Sequence, residues 1–179
     1  MEIRFTKCDG KVDWMECVRQ DGSTTRCPMP KQGILPHDLI HYVVESSLEL
    51  RHGFYGLIAA GVGFPKAVPP WNADEFEIDD LTEALQAESL VECFQAELWD
   101  GYQEENAQVN RTFFAVLDII CQQRNVARPA QVTDAALQKV RLDLKQYTKM
   151  WSALPTGRSL HVHATWLGTI FLHESFIRA

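Results

Sequence analysis

The sequence predicts an α+β fold in which an N-terminal three-stranded antiparallel meander packs against about four helices. Two Asp-Gly dipeptides divide the first part of the chain into short stretches with strand character, and from Pro36 onward apolar residues recur at helical spacing. Asp-Gly supplies the positive φ angles of tight hairpin turns, and a three- and four-residue spacing places apolar side chains on one side of a helix. The length of 179 residues suits a single domain, 1–179, with its own core.

The meander is predicted over residues 2–28, with its turns at residues 9–10 and 21–22. A sheet of this size has a face to bury, so helices or a further strand must cover it. Residues 158–166, with the sequence RSLHVHATW, alternate in the manner of a strand. This C-terminal strand can extend the sheet.

Long helices are predicted at residues 37–50, 81–99, 104–124 and 133–153. The segment YGLIAAGVGF, between the first two, is predicted as a short buried helix. The last long helix has the clearest apolar stripe, and Thr133 stands where it can cap that helix. We therefore expect Leu137, Leu144 and Trp151 to be buried.

The charge balance argues against nucleic acid as a partner. The formal net charge of this acidic protein is −7, from 24 acidic and 17 basic side chains, and no Lys/Arg cluster occurs. The longest small-and-apolar run, GLIAAGVGF, is far shorter than the ~20 residues of a membrane span. The sequence thus predicts neither a nucleic-acid nor a membrane partner.

Cysteine usage and the N-terminus favour a cytoplasmic location. The chain has five cysteines, an odd number, and no Cys-x-x-Cys pair. Its first residues, MEIRFTKCDG, lack the basic and apolar regions of a signal peptide. We expect all five thiols to be reduced.

The first long helix carries a row of polar side chains along the edge of its apolar stripe. His37, His41 and Glu45 follow each other at intervals of four residues, so their side chains stack along one edge. Two imidazoles at this spacing can bind one divalent metal such as zinc, and a carboxylate completes a three-ligand site with a position open to water. Asp38 and Glu45 are the candidate catalytic proton carriers. The alternative is a set of local salt bridges and backbone hydrogen bonds with no ligand.

Two families share features of this stretch. HDLIH, residues 37–41, resembles the His-Glu-x-x-His helix of zinc proteases, with Asp38 where those enzymes have glutamate. That resemblance implies metal binding by His37 and His41 and an acid–base role for Asp38. LPHDLIH also resembles the His-Asp dipeptide of HD-domain phosphohydrolases, whose separate upstream histidine has no counterpart before His37.

A second histidine pair lies in the C-terminal strand. His161 and His163 are alternate residues, so they point to the same face of the sheet and can share a metal. If the strand packs beside the first helix, the pair can join His37 and His41 in one site. If that face is solvated, both histidines simply point outward.

The sequence leaves two functions open. One is a non-catalytic interaction or accessory protein, which meets a protein partner through the acidic loop 72–80 or assembles as a homo-oligomer. The other is a metal-binding protein, in its catalytic form a metal-dependent hydrolase, built on His37, His41 and Glu45. Whether the protein is an enzyme is not decided by these patterns, because they contain no complete catalytic set.

Overall fold

The computed structural model describes residues 1–31, 33–63, 81–101 and 107–168. The predicted α+β class is confirmed within these residues, and the C-terminal strand does extend the sheet. In chain order the elements are β1 (Glu2–Thr6), β2 (Val12–Val18), β3 (Thr24–Pro30), α1 (His37–Leu48), α2 (Phe54–Ala59), α3 (Thr82–Asp100), α4 (Ala107–Gln123), α5 (Asp134–Ala153), β4 (Ser159–His163) and a 3₁₀ turn (Thr165–Leu167). The acidic loop 72–80 lies outside the described residues.

The sheet is antiparallel throughout, with the strand order β3-β2-β1-β4. Both predicted Asp-Gly turns form, since Gly10 has φ 93° and Gly22 has φ 81°. These are left-handed conformations that glycine adopts without a steric cost. The turns join β1 to β2 and β2 to β3, and the pairing of β4 with the other edge of β1 places β1 inside the sheet.

One face of the sheet is buried against the helices and the other faces outward. The inward side chains, which alternate along the strands as the pleat requires, include Ile3, Phe5, Met15, Cys17, Met29 and Val162. On the outer face Arg4 forms ion pairs with Glu2 at 2.8 Å and Glu16 at 3.0 Å. The core therefore lies on one side of the sheet only.

Helix α1 lies at the centre of the helical layer and contacts α2, α3 and α5. It occupies this position because its apolar residues cover more than half of its circumference, with Leu39, Ile40, Val43 and Val44 all buried. The predicted core stripe of α5 is confirmed, as Leu137, Leu144 and Trp151 are buried. Thr133 caps α5 by accepting a hydrogen bond from the Ala136 backbone N–H at 3.2 Å.

None of the described helices has the length and apolarity needed to cross a bilayer. The longest, α3 and α5, carry charged residues on their outer sides and pack into the core through the opposite side. Both helices pack against α1, and α3 contacts the row of polar side chains on α1.

Candidate metal centre between helices α1 and α3

His41 lies at the centre of a buried polar cluster. Its side chain is 2% exposed, although an imidazole is normally hydrated. Nδ1 lies 3.1 Å from Oε1 of Glu45, one helical turn further along α1. Nε2 lies 3.3 Å from Oε1 of Glu88 on α3. The ring therefore joins two buried carboxylates that come from different helices.

Glu45 is held by the chain segment that begins α2. Its carboxylate accepts hydrogen bonds from the backbone N–H groups of Phe54 at 3.1 Å and Tyr55 at 3.0 Å. Both amides belong to the first turn of α2, where backbone N–H groups have no helical acceptor. Glu45 is fully buried and is nevertheless well satisfied, because backbone and imidazole donors surround it.

His37 is placed beside His41, one turn earlier on α1. The centres of the two rings are 4.8 Å apart and their planes are inclined by 76°. The Nδ1 atom of His37 lies 2.9 Å from the amide oxygen of Gln95, on α3. With Nδ1 donating to that oxygen, Nε2 is left as the ligand atom of the ring.

His37, His41 and Glu88 together form a possible three-ligand set. Each offers one donor atom, and these atoms all lie within 4.8 Å of one another. Two ligand atoms at ~2.0–2.1 Å from a tetrahedral ion are about 3.4 Å apart. The 3.3 Å between His41 and Glu88 already has that spacing. The remaining distances in the set are no longer than 4.8 Å.

The electrostatics of the cluster follow from burial and from the two carboxylates. Burial opposes charge on the His41 ring, but Glu88 and Glu45 outweigh this effect and raise the pKa of His41 to about 10. Burial likewise opposes ionisation of Glu88, yet the charge of His41 leaves the pKa of Glu88 below its ordinary value. For Glu45 burial prevails, and its pKa is raised. Burial and the neighbouring His41 cation lower the pKa of His37.

Among the described residues, the possible ligand group of His37, His41 and Glu88 does not include Asp38. Burial raises the pKa of Asp38. Burial and the nearby Asp38 carboxylate also raise the pKa of the Cys17 thiol, to about 12, and that of Cys27. These thiols are therefore protonated at neutral pH and poor nucleophiles. The catalytic role predicted for Asp38 stays a prediction.

His161 and His163 lie on the outer face of β4, and both are exposed. The Nδ1 atom of His161 is 3.0 Å from Oε1 of Glu2 on the neighbouring strand. Within the described residues, the structure brings neither histidine into the group formed by His37, His41 and Glu88. β4 does approach α1, but through its backbone, since the Tyr42 hydroxyl donates to the carbonyl of His163 at 3.4 Å.

The sequence patterns did not single out Glu88 or Gln95. Both occur on α3 among the apolar residues that face α1, and both are buried. A glutamate and a glutamine seven residues apart on the buried side of a helix are costly there without partners. That spacing was the signal available in the sequence, and only the packing of α3 on α1 supplies the partners.

No family model, no curated protein and no solved structure matches this chain. The geometry of the cluster is therefore the basis for a function of this protein.

Proposed function

We propose that this protein binds a divalent metal, zinc in the first instance, through His37, His41 and Glu88. The observation that carries the proposal is the convergence of three donor atoms from two helices. Two imidazole nitrogens and one carboxylate oxygen form a common donor set for zinc in proteins. The same set also suits other first-row divalent ions, so the choice among them rests on their availability.

The partners of the two imidazoles support this proposal. Histidine ligands commonly donate their second ring N–H to a carboxylate or a carbonyl oxygen, which fixes the orientation of the ring. Glu45 supplies such an acceptor to His41, and Gln95 supplies one to His37. Each ring therefore has one nitrogen engaged within the protein and the other directed to the cluster.

The charge of the cluster also favours a cation. Glu45 and Glu88 are both buried next to His41, so that carboxylates outnumber imidazolium groups. A divalent ion that replaces the Nε2 proton of His41 adds one positive charge to the cluster. Such an exchange reduces the cost of burying two carboxylates together.

Three protein ligands leave one position of a tetrahedral ion for water. This arrangement distinguishes catalytic zinc sites from structural ones, which have four protein ligands. A zinc ion held by His37, His41 and Glu88 would supply a water that ionises near neutral pH, which is the nucleophile that hydrolysis of a carbonyl or phosphoryl group requires. The proposal in its catalytic form is thus a metal-dependent hydrolase.

Metal analysis of the untagged protein tests the proposal directly. We expect close to one equivalent of zinc per chain after dialysis against zinc, and loss of that metal in His37→Ala, His41→Ala and Glu88→Ala. His161→Ala and His163→Ala are matched controls, because each removes an exposed histidine outside the cluster. Metal content that is equal in the two groups of variants would refute the site.

A further inference from the structure

The Glu45 carboxylate accepts hydrogen bonds from three groups of the protein. Oε1 faces both Nδ1 of His41 and the backbone N–H of Phe54, each at 3.1 Å. Oε2 accepts from the backbone N–H of Tyr55 at 3.0 Å. Two of these donors are backbone groups of the first turn of α2, so a Glu45 carboxylate that turned towards a metal would lose them. Among the described residues, the group of donor atoms within 4.8 Å of one another contains Glu88 and not Glu45.

Gly53 makes this arrangement sterically possible. A Cβ atom at Gly53 would lie 2.6 Å from both Cδ and Oε2 of Glu45. The φ angle of Gly53 is −71°, which any residue can adopt, so the backbone conformation does not require glycine here. The requirement is one of space, because the carboxylate lies against the backbone that begins α2.

We infer that Glu45 is a positioning residue for the metal site and that Gly53, which gives its carboxylate room, couples the start of α2 to metal binding. The inference rests on the proposed function and assigns Glu45 a place outside the ligand set. Glu45 holds Nδ1 of His41, so Nε2 faces Glu88 and the ion. The backbone amides of Phe54 and Tyr55 hold Glu45 in turn.

This chain of contacts has a direct consequence for ligand strength. A carboxylate acceptor on Nδ1 raises the basicity of the imidazole and fixes its orientation, and loss of such an acceptor typically weakens metal binding on the order of 10- to 100-fold. Glutamine at position 45 offers one oxygen to three donors, so at least one of them loses its acceptor. The ligand atoms themselves are unchanged by that substitution.

The first test is titration of metal-free protein with Co²⁺, whose visible spectrum reports the number and type of its ligands. We expect Glu45→Gln and Gly53→Ala to bind Co²⁺ more weakly, on the order of 10- to 100-fold, with the wild-type spectrum at saturation. Gly63→Ala is the matched control, since a Cβ there meets no atom within 4 Å, and it should bind as the wild type does. Unchanged affinity in Glu45→Gln, or an altered spectrum at saturation, would overturn the inference.

The second test uses the unsubstituted protein and does not depend on how any variant folds. Co²⁺ binding should slow hydrogen exchange at the amides of Phe54 and Tyr55. The amide of Cys8, which donates to the Asp13 carboxylate at 2.8 Å outside the cluster, is the control and should be unaffected. Equal exchange rates with and without bound Co²⁺ would contradict the coupling. Failure of the wild type to bind Co²⁺ at all would instead refute the proposed function.

Discussion

The Nε2 atom of His41 lies 3.3 Å from Oε1 of Glu88, and this contact connects α1 to α3 inside the core. Both side chains are less than a tenth exposed. An imidazole and a carboxylate buried together can share a proton, and a metal ion bound to both would replace that proton.

Metal-free protein should lose stability as the pH rises from neutral towards 10. The pKa of His41 is raised from 6.5 to about 10 in the folded state. The imidazolium therefore stabilises the folded state fully below pH 6.5, the pKa of His41 in the unfolded chain. This contribution to the free energy of unfolding disappears as the pH rises through the pKa of the folded state, about 10. Urea unfolding in the presence of a chelator, at several pH values across this interval, measures the loss. His41→Gln lacks the imidazole, so its free energy of unfolding should change less with pH than that of the wild type. The same pH dependence in both proteins would contradict a raised pKa of His41.

Glu88→Ala should destabilise the metal-free protein by about 3 kcal/mol, because removal of one partner leaves the His41 charge poorly compensated in the core. The free energy of unfolding at neutral pH measures the effect. Glu92→Ala provides a control on the same helix. Glu92 forms its ion pair with Arg124 at the surface, with 56% of the glutamate side chain exposed, and should contribute less than about 1 kcal/mol. Similar losses of stability in the two variants would show that the buried contact stabilises the protein no more than the exposed ion pair does.

Zinc should stabilise the wild-type protein and leave His41→Ala unaffected. A ligand that binds only the folded state stabilises it by about 2.7 kcal/mol at a concentration 100 times its Kd. Thermal unfolding with increasing zinc should therefore give a rising midpoint for the wild type, which a chelator reverses. A midpoint that rises equally in His41→Ala would place the bound zinc elsewhere.

Leu144→Ala should cost ~2–5 kcal/mol, the range for a large-to-small change in a packed core. Leu144 is 1% exposed on the inward face of α5, whereas Leu142, two residues earlier, is 61% exposed. Leu142→Ala is thus a matched control and should change stability by no more than about 0.5 kcal/mol. Chemical denaturation of both variants decides the comparison, and equal effects would contradict the assignment of the α5 stripe to the core.

The elements of the fold were predictable because each depends on residues that are close in sequence. The predicted helix at 133–153 corresponds to α5, Asp134–Ala153, and the one at 81–99 to α3, Thr82–Asp100. The predicted helix at 37–50 is shorter in the structure, since α1 ends at Leu48 and Glu49 follows in a left-handed conformation with φ 54°. Periodicity located these helices well and their ends less well, because a helix end depends on one or two local contacts.

The sequence by itself determined that His37 and His41 lie side by side, since residues four apart on a helix share one face. It also placed Glu45 one turn beyond His41, and this contact forms at 3.1 Å. Only the tertiary structure decided that α3 packs on this face and brings Glu88 and Gln95 to the two imidazoles. The tertiary structure also placed two backbone donors of α2 at the Glu45 carboxylate and left His161 and His163 on the outer face of the sheet. Helical periodicity fixes neighbours along one element, whereas a ligand set depends on distances between elements that are far apart in the chain, and those distances are set by the packing of the whole core.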